Sequence, residues 1–130
     1  MFINDLLRNL KQVPKKWGNE YWIINNESYC AKLLFVKEGW RTSMHKHTNK
    51  KETFFVFEGE VEIRGEKESK KLSVGDTLTI EPESYHAICG TKSSIVLEVS
   101  THHEDKDSYR LDKSQTIQGG RNVKRHKENV

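Results

Sequence analysis

Three histidines and one glutamate stand at spacings suited to holding a metal ion: His45, His47, Glu52 and His86. Side chains along a strand alternate between its faces, so His45 and His47 project together while Met44 and Lys46 project the other way. Glu52 opens a strand-like run to Phe57 that can return the chain beside the two imidazoles. Imidazoles and a carboxylate suit a borderline divalent cation, with Zn, Mn, Fe, Co and Ni all admissible. Neutral histidines add no charge, so a divalent ion with Glu52 as its one anionic ligand stays net positive. Such a centre polarises a carbonyl, stabilises an enediolate or lowers the pKa of bound water.

The first three residues lie in Gly39-Trp-Arg-Thr-Ser-Met-His45-Lys-His47-Thr-Asn-Lys-Lys-Glu52-Thr-Phe-Phe-Val-Phe-Glu-Gly59, the fourth in Gly75-Asp-Thr-Leu-Thr-Ile-Glu-Pro82-Glu-Ser-Tyr-His86. Together the two segments resemble the paired motifs of the cupin superfamily. The first agrees at every fixed position. In the second, Pro82 sits one place late and Ser84 stands where the family has glycine, with the Gly75-to-His86 separation kept. The resemblance runs from about Trp17 to Arg110. It implies an all-β, double-stranded β-helix, the jelly-roll barrel, with the metal ligands pointing inside.

The elements needed to hold such ligands are visible in the pattern. Leu6, Leu7, Leu10 and Val13 form a helical stripe over Asp5 to Val13 that Pro14 stops, predicting a short N-terminal helical arm within residues 1–16. Strand-like runs follow at Tyr21–Ile24, Tyr29–Val36, Val61–Arg64, Lys71–Val74 and Ile95–Thr101, besides the motif segments. Gly, Asn and Asp clusters separate them, the pattern of a sandwich or barrel. Phe54 and Val56 share a face with Glu52, yet Phe55 and Phe57 on the other face are equally apolar. A strand apolar on both faces needs an outer cover, so a homodimer is expected. One cupin domain over residues 1–112 is predicted, with 113–130 a polar, basic, flexible tail.

A chain of 130 residues, 34% hydrophobic and 32% charged, suits one core and one soluble domain. No apolar run approaches the ~20 residues that cross a bilayer, and the N-terminus does not read as a signal peptide. Cys30 and Cys89 sit in apolar strand-like sequence, favouring buried thiols in a reducing cytoplasm. The net charge of +3 owes much to Arg121–Lys127, with Lys15-Lys16 and Lys50-Lys51 as smaller clusters. A frayed basic tail is not a nucleic-acid face, so neither nucleic acid nor membrane is expected as a partner.

The flanking segments narrow the chemistry. Lys16-Trp17-Gly18, Lys32-Leu33-Leu34, Glu98-Val99-Ser100-Thr101 and Asp107-Ser-Tyr-Arg110 resemble small cupins near the type II mannose-6-phosphate isomerases and D-lyxose isomerases. That resemblance implies metal-dependent aldose–ketose interconversion of a sugar or sugar phosphate. Such a reaction needs a base to move a proton between neighbouring carbons. Lys32 and Glu98 each interrupt an apolar strand and are the catalytic candidates, against a structural pairing of the two. Tyr85 and Arg110 are candidates for substrate binding, with a packed ring and a surface pair to Asp107 or Glu104 as the plainer alternatives. His102, His103, Arg41 and Lys46 form a weaker group. A non-catalytic sugar-binding module and an Fe(II)-dependent dioxygenase remain as other readings.

Overall fold

The computed structural model describes residues 3–117. Thirteen strands follow a single helical turn and a half, α1 (Ile3–Leu7). They are β1 (Lys11–Lys15), β2 (Gly18–Asn25), β3 (Cys30–Val36), β4 (Trp40–Arg41), β5 (His45–His47), β6 (Glu52–Glu58), β7 (Glu60–Arg64), β8 (Ser69–Ser73), β9 (Thr77–Ile80), β10 (Ala87–Gly90), β11 (Ser94–Ser100), β12 (Ser108–Arg110) and β13 (Gln115–Thr116). One sheet runs β1-β2-β3-β11-β6-β9 and a second runs β13-β4-β10-β7-β8, with β12 and β5 as a separate pair. All pairings are antiparallel. Two facing sheets joined by crossovers form the expected jelly-roll barrel.

The core lies between the sheets. Leu34, Val36, Phe54, Val56 and Val96 from the first sheet meet Val61, Ile63, Leu72 and Ile88 from the second, with Trp17 at one end. Strict alternation puts them there: along β3, Cys30, Lys32, Leu34 and Val36 are buried and the residues between them are only half-buried. Each fully buried aliphatic or aromatic side chain contributes on the order of 1.5–3 kcal/mol. Register then decides what sits beside what. Glu98 is directly opposite both Lys32 and Phe54, so two charged side chains enter the interior at one level.

Two glycines permit close approaches. Gly59, at a φ of +86°, turns the chain from β6 into β7, and a Cβ there would collide with the Ser93 carbonyl oxygen. Gly18 opens β2 against the Phe35 carbonyl oxygen, again leaving no room for a Cβ.

The helix is shorter than the apolar stripe predicts. It ends at Leu7, and residues 11–15 instead form the outermost strand of the first sheet, with Val13 opposite Glu20. Pro14 is tolerated there because an edge strand has one side without ladder bonds. The chain also keeps its order past residue 112: Gln115 and Thr116 pair with Arg41 and Trp40, and Asp112 ion-pairs with Arg41 at 2.6 Å. The basic run Arg121–Lys127 lies outside the described residues. Among the described residues no helix is long and apolar enough to cross a membrane.

Candidate metal centre and its cavity

β5 carries His45 and His47, β6 begins at Glu52, and His86 ends the loop before β10. Ligating atoms of His45, His47 and His86 lie within 4.8 Å of one another. Glu52 Oε2 is 3.0 Å from His86 Nε2 and 3.5 Å from His47 Nε2. The three predicted histidine ligands therefore converge, and Glu52 stands beside two of them.

The histidine tautomers follow from their partners. Nδ1 of His45 contacts the Ser43 carbonyl at 2.7 Å, Nδ1 of His47 the Asp107 carbonyl at 3.1 Å, and Nδ1 of His86 the Ser84 carbonyl at 3.0 Å. A carbonyl only accepts, so each Nδ1 carries the proton and each neutral ring turns an Nε2 lone pair inward. Burial holds His45 neutral down to about 3, reinforced by His86 nearby. Burial and Lys50 hold His47 neutral down to about 4. Burial alone would raise the Glu52 carboxyl, but the Lys50 ammonium beside it works the other way, and the carboxyl lies below the usual carboxylate range.

Glu52 Oε2 and His86 Nε2 are buried without a hydrogen-bond partner among the described residues. Two electron-pair donors facing each other at 3.0 Å are costly unless a cation lies between them. Neutral imidazoles, each fixed by a backbone carbonyl and joined by an ionised carboxylate, make the donor set of a divalent transition-metal site. The residues fit such an ion.

A second cluster shares the same cavity of about 90 Å³, which is lined by His45, His47 and Glu52 and also by Lys32, Lys50, Glu98 and His103. Lys50 Nζ lies 3.2 Å from Glu98 Oε2, 3.1 Å from His103 Nδ1 and 3.6 Å from Glu52 Oε1. Burial pushes the Glu98 carboxyl up, and Lys50 offsets only part of that. Burial also disfavours the Lys50 ammonium, but Glu98 and Glu52 outweigh it and raise its pKa. Lys32, 2% exposed, lies 4.1 Å above the Trp22 ring and 3.7 Å from Glu20 Oε1. Lys32 and Glu98 are strand neighbours, yet each has its own counter-charge, so the structural pairing considered for them is not what holds them.

A family profile described as "Cupin domain" matches residues 32–100. The chain belongs to the cupin domain family. Among curated proteins, none matches this cupin in sequence. Solved structures agree on the fold. KdgF from Halomonas sp. superposes with a TM-score of 0.69 at 19% identity, over 82% of this chain and 97% of that one. Pac13 of Streptomyces, a nucleoside dehydratase solved with uridine, gives 0.72 at 14% identity, over 82% and 88%. Oxalate decarboxylase from Bacillus subtilis gives 0.70 at 13% identity, over 81% of this chain and 31% of that one. At these identities the likeness speaks for the fold.

The remaining candidates fall in different places in this cupin. Arg110 lines the cavity from β12, opposite His45, and has no ion pair among the described residues. Its suggested partner Asp107 is occupied elsewhere: its carboxylate accepts the backbone N–H groups of Thr48, Asn49 and Lys50 and the Thr48 hydroxyl. Tyr85 does not line the cavity. It borders an outer groove with Ile63, Leu78 and Ile80, its ring 5.2 Å from Lys46 Nζ. Arg41 and Lys46 are engaged by Asp112 and Glu83. His102 contacts Glu104 at the surface, whereas His103 turns inward.

Lys50, which in the sequence is only half of a small Lys-Lys charge cluster, joins the site. Only its distance from Glu52 hinted otherwise: two residues before an inward side chain is also inward if the strand parity extends back. The sequence offers Asp107 as a surface partner for Arg110, and its service to the loop before β6 has no local sequence signal.

Proposed function

We propose that this cupin is a metal-dependent aldose–ketose isomerase acting on a sugar or sugar phosphate in the cytoplasm. The observation that carries this reading is Glu98, a buried carboxyl with a raised pKa in the same cavity as His45, His47 and Glu52. A carboxyl so placed can take and return a proton, the task that distinguishes an isomerase from a binding module. The flanking segments that resemble sugar-isomerising cupins favour the same conclusion, and the two buried cysteines, neither in a disulfide, suit a reducing compartment.

His45, His47, His86 and Glu52 would hold the divalent ion, which when bound supplies a positive charge to polarise the substrate carbonyl. Lys50 holds Glu98 Oε2, leaving Oε1 to carry the proton between the two substrate carbons. Lys32 lies between Trp22 and Glu20, placed to donate to a substrate oxygen. Phe54, Leu34, Ile88 and Trp17 wall the cavity and keep water from the reacting carbons. Arg110 at the wall is placed to bind the far end of the substrate.

The active form is a homodimer. The outer face of the first sheet carries Leu33, Phe35, Phe55, Phe57, Leu97 and Val99, with Phe57 60% exposed and Val99 45% exposed. A contiguous apolar face of this kind is seldom left to water.

Protein purified without chelator and reloaded with Mn, Fe, Co, Ni or Zn should interconvert at least one aldose–ketose pair among pentoses, hexoses and their phosphates. Metal-loaded protein that binds sugars and isomerises none of them belongs to the binding-module reading. Turnover that requires Fe(II) and dioxygen belongs to the dioxygenase one.

A further inference from the structure

Lys50 is 3% exposed, although it sits in a loop from which a lysine normally reaches solvent. It is pinned at both ends. Its backbone N–H donates to Asp107 Oδ2 at 3.1 Å, and its Nζ is surrounded by Glu98, His103 and Glu52. An ammonium has donors only, so the His103 Nδ1 that faces it is an acceptor and the His103 proton is on Nε2. That proton is matched: His103 Nε2 is 2.8 Å from Asp105 Oδ1. Asp105 thus orients His103, His103 orients Lys50, and Lys50 reaches the carboxylate of Glu52.

The two oxygens of Glu52 have different neighbours. Oε2 faces His86 and His47 at 3.0 and 3.5 Å, while Oε1 lies 3.6 Å from Lys50 Nζ. We propose that Lys50 is a positioning residue that keeps Glu52 a one-oxygen metal ligand, holding Oε1 away from the ion so that only Oε2 reaches it. The inference rests on the metal reading above and adds a consequence for substrate. A chelating carboxylate would take one further coordination position. With three imidazoles and one carboxylate oxygen, an octahedral ion keeps about two positions, and with a chelating carboxylate about one. Two positions suit a substrate that binds through a carbonyl and the adjacent hydroxyl together; one position does not. Lys50 would then select for vicinal oxygen pairs without touching them.

The test counts exchangeable waters on Mn(II)-loaded protein by water-proton relaxation. Wild type is expected to show about two and Lys50→Met about one, with Lys50→Arg returning to the wild-type count because the cation is kept. A merely structural role for Lys50 would not change the count in folded protein. Lys50→Met leaves Glu52 and Glu98 as two buried carboxylates with no cation between them. If that variant does not fold, the double variant Lys50→Met/Glu98→Met removes the second carboxylate and carries the same measurement. An unchanged count in the folded variant overturns the inference. Wild-type protein that holds no manganese, nor any other divalent ion, overturns the metal reading itself and this inference with it.

Discussion

The main chains of His45 and His86 bond to each other twice, His45 N–H to His86 O at 3.0 Å and His86 N–H to His45 O at 2.8 Å. Residues directly opposite in an antiparallel pair carry their side chains on one face, and the two ring centroids are 4.5 Å apart. The backbone therefore joins the two motifs at the ligands themselves. A change of side chain at either position leaves this bridge intact. His45→Ala and His86→Ala should both fold, with unchanged far-ultraviolet circular dichroism. Each should lose more metal affinity than the ~10–100-fold typical of losing an outer partner. Competition against a chromophoric chelator measures this, and wild-type affinity in either variant would remove that residue from the ligand set.

Glu98→Gln keeps the shape of the side chain and an acceptor for Lys50 but cannot carry a proton. Turnover should fall by ~10²–10⁴-fold, the usual loss for a general acid–base, while metal content stays at the wild-type level. Product formed in deuterated water should carry the label at the carbon that receives the proton. A Glu98→Gln enzyme of undiminished kcat would hand the role to another group, with Lys32 next in line.

Asp107 supplies a prediction about stability. Burial works against its charged form, but the Thr48 hydroxyl and the N–H groups of Thr48, Asn49 and Lys50 outweigh it and hold the carboxyl below the usual aspartate range. A depressed folded pKa means that the stabilisation is present above the ordinary aspartate value and is lost as pH falls through the folded one. Asp107→Asn should cost about 1–3 kcal/mol at neutral pH, and the gap from wild type should close in acid. Denaturant titrations of both proteins at about pH 7 and about pH 3 decide it. A gap that is constant with pH would show that the charge contributes nothing.

Phe57→Asp introduces a charge into the outer face of the first sheet without touching the core, where Val56 and Phe54 point the opposite way. The wild type should have a dimer's mass by light scattering and the variant a monomer's. A monomeric wild type would leave the apolar face without a partner of its own kind.

Much of this architecture was legible because it depends on parity. Alternation alone puts His45, His47, Glu52, Phe54 and Val56 inside, and the same rule places Lys32 and Glu98. What depends on distant pairing was not legible. β4, β12 and β13 are two or three residues long and exist only because β10, β5 and β4 lie beside them. β1 carries a proline and shares its apolar spacing with a helix, so its identity is settled by the open edge of β2. Lys50 was hidden for an electrostatic reason. A lysine is read as exposed unless its partners are known, and apart from Glu52 those of Lys50 are Glu98, His103 and Asp107, all more than forty residues further along the chain.

Cys30 lies on β3 of the first sheet and Cys89 on β10 of the second, and both are buried. The two thiols thus report separately on the two halves of the barrel. Under native conditions neither should react with a thiol reagent faster than its own sheet opens, so paired labelling rates would separate a concerted opening from the loosening of one sheet. A ligand seated among His45, His47 and Glu52 touches the first sheet through β6, and its arrival should slow the labelling of Cys30. The chain carries its own clock for the breathing of its interior.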